Sequence, residues 1–153
     1  MNEYSICSFF GHRNVEKTPE LEEKTRAEIE KIIKNGCHTF YFGGYGDFDD
    51  FCYQIVTQIK EERPDLKIHR IYCVSQEKLL RKSYHYYRKE DYDDVIYLEP
   101  SFNGWYKSIY YRNCAMIDNS DYIIFYCEER ADSGAYKAYK YAVKQKKNVT
   151  NLF

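Results

Sequence analysis

The sequence has no run approaching the roughly 18 consecutive apolar residues that a membrane-spanning helix needs, so no membrane partner is expected. Met1-Asn2-Glu3-Tyr4-Ser5 lacks the charged-then-apolar pattern of a secretory signal, and a cytoplasmic protein is expected. Charge of one sign is missing too: 23 Lys and Arg stand against 24 Asp and Glu, a formal net charge of −1. Such a balance gives no overall basic footprint and argues against nucleic acid as a partner, while leaving room for a local basic site. There is no C-x-x-C pair. The six cysteines, Cys7, Cys37, Cys52, Cys73, Cys114 and Cys127, are scattered and lie mostly in apolar runs. They read as small buried hydrophobes in a reducing compartment, not as a disulfide framework or a metal site. No internal repeat or low-complexity linker divides the chain.

What is present fits one domain over residues 1–153, close to the ~150 residues of a typical domain, enough to bury about two-thirds of the unfolded surface. Hydrophobic residues at 44% and charged residues at 31% exclude wholesale disorder. Aromatics are abundant: 18 Tyr, 9 Phe and 1 Trp make up 18% of the chain. Tyrosine fills core volume and keeps a hydroxyl to bond, so tyrosine-rich surfaces suit ligands and partner subunits. With the Tyr84-His85-Tyr86-Tyr87 cluster, this predicts a homo-oligomer, a dimer or higher.

Apolar runs alternate with helical stripes. Tyr4 to Phe10 reads as a first strand. Thr18-Pro19 opens a helix, with Thr at the N-cap, Pro at the first helical position, and Glu20, Glu22 and Glu23 in the positive first turn. Leu21, Thr25, Ile29, Ile32 and Ile33 form its buried stripe and Gly36 closes it. Thr39 to Phe42 is a second strand and Gly43-Gly44-Tyr45-Gly46 a tight loop. The helix after it carries Phe48, Phe51, Cys52, Ile55, Val56 and Ile59 on one face. Ile68 to Val74 and Val95 to Leu98 read as strands, and Gly104 to Asn119 as a helix. Tyr122 to Cys127 is an unbroken apolar run suited to a strand covered on both faces. A last helix from Gly134 to about Lys147 places Ala135, Ala138, Tyr139, Ala142 and Val143 inward, before a short strand from Val149 to Leu152. Ser75 to Pro100 is predicted to be a long, largely irregular connection. The alternation predicts an α/β, three-layer Rossmann-like fold: a mostly parallel central sheet of five to six strands with helices on both faces.

In such a sheet ligands bind beyond the carboxyl ends of the strands, where the polar and glycine-rich clusters of this sequence fall. Gly11-His12-Arg13 follows the first strand, Gly43-Gly44-Tyr45-Gly46-Asp47 the second, and Ser133-Gly134-Ala135 opens the last helix. The amides of a helix start without first-turn acids favour an anion, whereas Asp47, Asp49 and Asp50 repel one and suit a sugar hydroxyl or base edge. His12-Arg13 reads either as a surface pair or as a phosphate contact. Arg112, spaced 3 and 7 from Ile109 and Trp105 and 4 from Met116, sets a permanent charge on an apolar stripe. It either reaches an acid such as Asp118 or Asp121, or snorkels, or meets a ligand anion.

These blocks carry a resemblance. Ser8-Phe9-Phe10-Gly11-His12-Arg13 resembles the "TGHR" opening of YpsA-like proteins of the SLOG superfamily, which also holds the DprA/Smf proteins and the LOG-type phosphoribohydrolases. Phe42-Gly43-Gly44-Tyr45-Gly46-Asp47-Phe48-Asp49 is similar to "GGAxGxD", and Tyr111-Arg112-Asn113-Cys114-Ala115-Met116-Ile117-Asp118 with Ser120-Asp121 to "YxxRNxxMVDxSD". Ser133-Gly134-Ala135-Tyr136, with Tyr141-Ala142, takes the place of "GGT" and "YA". The resemblance implies a Rossmann-like fold and a nucleotide or nucleotide-derived ligand of ADP-ribose type, with no cofactor or metal otherwise indicated. Its ligand-binding residues would be Gly11, His12, Arg13, Gly43, Gly44, Tyr45, Asp49, Arg112, Asn113, Asp118, Ser133, Gly134 and Ala135. Arg13, Arg112 and the Ser133-Gly134 start would meet phosphate, Asp49 or Asp118 would hold hydroxyls, and Tyr45 or Trp105 would stack on a base. The glutamate of the phosphoribohydrolases falls at Ala138 and their second cation at Asn113. A binding module is therefore expected ahead of an enzyme cleaving an N-glycosidic bond, for which Glu128 or Glu129 would have to substitute. No catalytic residue is assigned. An oligomeric adaptor or single-stranded-DNA-binding relative of DprA is the third alternative.

Overall fold

The computed structural model describes residues 5–44, 46–75, 89–98, 108–130 and 133–153. Among the described residues six strands and four α-helices follow in order: β1 (Ile6–Gly11), α1 (Pro19–Lys34), β2 (Thr39–Phe42), α2 (Asp47–Glu62), β3 (His69–Val74), β4 (Asp94–Tyr97), α3 (Ser108–Asp118), β5 (Tyr122–Tyr126), α4 (Gly134–Lys144) and β6 (Val149–Asn151). Each strand pairing is parallel, in the order β4-β3-β2-β1-β5-β6. From β1 the chain first builds outward through β2, β3 and β4, then returns to lay β5 on the other side of β1. The junction of β1 and β5 is thus the point where the winding reverses.

The pleat explains the layering. Cys7 and Phe9 of β1, with Phe40 and Phe42 of β2, pack among Leu21, Ile29, Ile32 and Ile33 of α1 and Phe48, Phe51, Ile55 and Ile59 of α2. Their neighbours Phe10, Tyr41, Ile123 and Phe125 point to the opposite face, against Met116 and Ile117 of α3 and Ala138 and Ala142 of α4. Burying each of these large side chains stabilises the fold by roughly 1.5–3 kcal/mol before the ordering entropy is counted.

Local signals act as expected at α1. Thr18 is extended, its hydroxyl accepts from the Leu21 amide at 3.1 Å, Pro19 follows, and Leu21, Thr25, Ile29, Ile32 and Ile33 are buried. Gly36, at φ +100°, lets the chain turn away. The differences lie at ends and edges. β1 begins at Ile6 and reaches Gly11, and β3 begins at His69. α4 stops at Lys144, because the amides of Lys146 and Lys147 fold back on the Val143 and Ala142 carbonyls and Lys146 takes a left-handed φ of 57°. Val143 is 51% exposed instead of facing inward, since the buried line of α4 is Ala135, Ala138 and Ala142. The strand expected over Val95–Leu98 is β4, shifted by one residue to Asp94–Tyr97, and Asp93 fastens it to β3: its carboxylate accepts from the Arg70 guanidinium at 3.0 and 3.2 Å and from the Arg70 amide at 2.8 Å. Residues 76–88, with the Tyr84–Tyr87 cluster, and the helix residues expected at 104–107 lie outside the described residues.

Candidate functional site

A cavity of about 440 Å³ opens at the carboxyl end of the sheet. Its wall comes from five places: the β1 end (Phe9 to Asn14), Gly43 after β2, Asp49 on α2, Ile109, Arg112 and Asn113 on α3, and Arg130 with Ser133-Gly134-Ala135 at the start of α4. This is the reversal point between β1 and β5, where the strand ends splay their loops to opposite sides and leave a crevice.

Its floor is a network around Gly43. The amides of Gly43 and Gly44 donate to the two carboxylate oxygens of Asp49 at 3.0 and 2.9 Å. The Gly43 carbonyl accepts from Arg112 Nη1 at 3.0 Å, and the same nitrogen donates to the Cys73 carbonyl at 3.0 Å. Arg112 Nε donates to Asn113 Oδ1 at 2.9 Å. The buried guanidinium is therefore satisfied by two strand-end carbonyls and its neighbouring amide, not by Asp118 or Asp121. Asp49, the acid expected to hold a ligand hydroxyl, is instead the clasp of the glycine loop. Burial pushes its carboxyl up to about 6, while the two glycine amides and Arg112 pull the other way. Glycine is required at two of these positions for different reasons. A Cβ on Gly43 would lie 2.9 Å from Arg112 Nη2, and Gly44 holds φ +68° with the Tyr72 ring 2.1 Å from where a Cβ would be.

The second network is built on His12, which is buried. The Glu128 amide donates to His12 Nε2 at 2.8 Å, so that nitrogen carries no proton and Nδ1 does. Nδ1–H faces Ser133 Oγ at 3.4 Å, and Ser133 Oγ accepts from the Tyr136 amide at 3.2 Å as the N-cap of α4. Burial and the Arg130 guanidinium hold the imidazole below its usual value, the Glu128 carboxylate opposing. No acid lies in the first turn of α4, and the Gly134 and Ala135 amides make no hydrogen bond among the described residues. Among the described residues, the ionisable groups on the cavity wall are three arginines, Arg13, Arg112 and Arg130, one carboxylate, Asp49, and the neutral His12. The arrangement favours an anion.

Gly11, His12, Arg13, Gly43, Asp49, Arg112, Asn113, Ser133, Gly134 and Ala135 thus come together on one wall. Two of the expected residues do not. Gly44 lies behind the wall, over Tyr72. Asp118 is a correction: six residues after Arg112 on α3, it sits about 9 Å further along the axis, away from the cavity, where it accepts from the Tyr141 hydroxyl at 2.7 Å. The following Ser120-Asp121 is likewise structural, since Ser120 Oγ lies 2.6 Å from Ser8 Oγ and Asp121 Oδ2 accepts from the Ile6 amide at 3.0 Å. Tyr45 and Trp105 lie outside the described residues. Sequence reasoning missed Phe9, Phe10, Asn14, Ile109 and Arg130. Arg130 follows Glu128 and Glu129, and no local spacing marks it.

Comparison with known proteins bears on the fold. No protein-family model and no curated protein sequence matches the chain. Among solved structures it is similar to DNA processing protein A (DprA) from Streptococcus pneumoniae, with a TM-score of 0.64 at 13% identity over 97% of this chain and 50% of that one. It is similar to DprA from Helicobacter pylori, with a TM-score of 0.62 at 18% identity over 96% of this chain and 64% of that one. The chain has a DprA-like fold. The Moco carrier protein of Chlamydomonas rheinhardtii shares it more loosely, with a TM-score of 0.52 at 11% identity over 97% of this chain and 76% of that one. The chain spans half to under two-thirds of the DprA chains, and at these identities the likeness is one of fold.

Proposed function

We propose that the cavity binds a nucleotide or nucleotide-derived ligand of ADP-ribose type, as a member of the YpsA-like branch. Phosphate would lie against Arg13, Arg130 and the α4 amides, with Arg112 supplying charge from below. The observation that carries this is the convergence of three arginines from three separate segments and one helix N-terminus on a single cavity, where Asp49, the carboxylate among the described wall residues, is already engaged. The volume of about 440 Å³ lies in the range of small-molecule sites. A binding role is preferred over N-glycosidic cleavage because Ala138, where the glutamate of the phosphoribohydrolases would fall, is fully buried in the core. Glu128 is paired with Arg130 at 3.1 Å, and neither it nor Glu129 lines the cavity.

The test is equilibrium binding of a panel of nucleoside mono- and diphosphates, ADP-ribose and cyclic nucleotides. Saturable binding is expected, weakened about tenfold in Arg13→Ala and in Arg130→Ala, the loss of one charge-assisted hydrogen bond. Both are rim residues whose removal spares the Arg112 network. Absence of saturable binding by folded protein would defeat the proposal. Two further arms address the alternatives. Release of free base from a nucleoside monophosphate would favour the hydrolase. Salt-sensitive capture of single-stranded DNA, which DprA of Helicobacter pylori binds, would favour the third reading. The oligomeric and cytoplasmic states stay part of the proposal; among the described residues no helix is long and apolar enough to cross a membrane.

A further inference from the structure

His12 occupies an unusual place: it lines a cavity that favours anions, yet its ring is engaged inside the protein at both nitrogens. Nε2 accepts from the Glu128 amide at 2.8 Å, and Nδ1 faces Ser133 Oγ at 3.4 Å. Between these anchors the Ser133 amide donates to the Arg130 carbonyl at 3.0 Å, and the Glu128 carboxylate holds Arg130 Nε at 3.1 Å. The described residues of the loop after β5 are therefore pinned on both sides by one imidazole, and the pinned segment carries a guanidinium of the cavity wall together with the cap of α4.

We propose that His12 is a positioning residue, a neutral lock that fixes the Arg130 and Ser133 sides of the anion site without touching the ligand. The proposal rests on reading the cavity as an anion site. It has a consequence opposite in sign to simple electrostatics. Protonation would turn Nε2 from acceptor into donor, facing the donor amide of Glu128, so one of the two anchors is lost. The charged and polar groups around the ring are Arg130, the Glu128 carboxylate and Ser133, all from the loop after β5, with the rings of Tyr126 and Phe153 edge-on. Arg130 and burial disfavour the imidazolium and Glu128 favours it, the first two prevailing. A histidine acting as a cationic contact would strengthen anion binding on acidification, and a lock weakens it.

The experiment titrates inorganic sulfate, whose charge is constant, into the protein between about pH 8 and pH 5. Wild-type affinity is expected to fall by about threefold or more as His12 protonates, the scale of losing one partly exposed ionic contact. His12→Gln, whose side-chain carbonyl can still accept from the Glu128 amide, is expected to bind at the neutral-pH level with that fall removed, whereas His12→Ala binds weakly at every pH. Affinity that rises on acidification in wild type and not in His12→Gln would overturn the proposal, making His12 a direct cation. NMR of the wild-type imidazole provides a readout independent of binding: Nε2 is expected to show as the unprotonated acceptor, and the Glu128 amide to be protected from exchange and to lose that protection in His12→Ala. Equal protection in both overturns the lock. Protection without any sulfate binding keeps the lock and instead removes the anion-site reading, so the two failures are distinct.

Discussion

A methyl group on Gly11 would sit 2.4 Å from Phe48 Cβ, whereas one on Gly134 would meet nothing within 4 Å. Both glycines belong to sequence blocks that look alike in kind, and the structure separates them. Gly11→Ala is expected to destabilise by about 1–3 kcal/mol in urea denaturation, because Phe48 is fully buried and cannot retreat. Gly134→Ala is expected to leave stability within about 0.5 kcal/mol, as its surroundings are open. The titrating pair in the cavity gives opposite pH effects. His12 is held below its ordinary 6.5, so the unfolded chain binds the proton more tightly. Stability from this group is present above about 6.5 and is lost as pH falls through it. Asp49 lies at about 6 against an ordinary 3.8, so the folded chain binds the proton more tightly. Its contribution improves as pH falls through 6 and is complete below 3.8. Urea midpoints against pH are expected to lose the acid-side decline in His12→Gln and the gain below 6 in Asp49→Asn.

The starts of α1 and α4 were readable, since capping is decided within four residues. Thr18 and Ser133 both accept from the amide three residues on, at 3.1 and 3.2 Å. They differ in what else they hold. Thr18→Ala is expected to lower stability by about 1 kcal/mol and leave ligand affinity unchanged. Ser133→Ala is expected to cost about the same by thermal melting and to weaken anion binding too, because its hydroxyl also meets His12. Helix stripes were equally legible: every apolar residue assigned to the buried faces of α1 and α2 is buried. Asp49 was not legible, because a first-turn acid is an ordinary helix-dipole residue in sequence. Only the return of the Gly43-Gly44 amides to its two oxygens gives it another role. Val143 failed because helical spacing defines an angle around the axis but not where the partner sheet stops.

Across the whole molecule, Arg112 joins the ends of β2 and β3 to α3. Arg112→Met is expected to cost roughly 2–4 kcal/mol, leaving two carbonyls without their donor, and to show as a loss of thermal stability before any loss of binding is measured. A ligand that fits the cavity is expected to raise the melting temperature, by about 2.7 kcal/mol of added stability at a hundredfold excess over its dissociation constant. The sequence by itself determined the layered α/β architecture, the helix caps and the glycine-bearing loops that face one end of the sheet. All of these rest on periodicity and short-range steric rules, which a linear string records. Only the tertiary structure decided that Asp118 meets Tyr141 and not the cavity, that Arg130 belongs to the cavity, and that His12 serves the loop after β5. Those roles depend on contacts between residues 23 to 121 positions apart, such as Asp118 with Tyr141 and His12 with Ser133, where the packing of the folded elements, not local pattern, sets who meets whom.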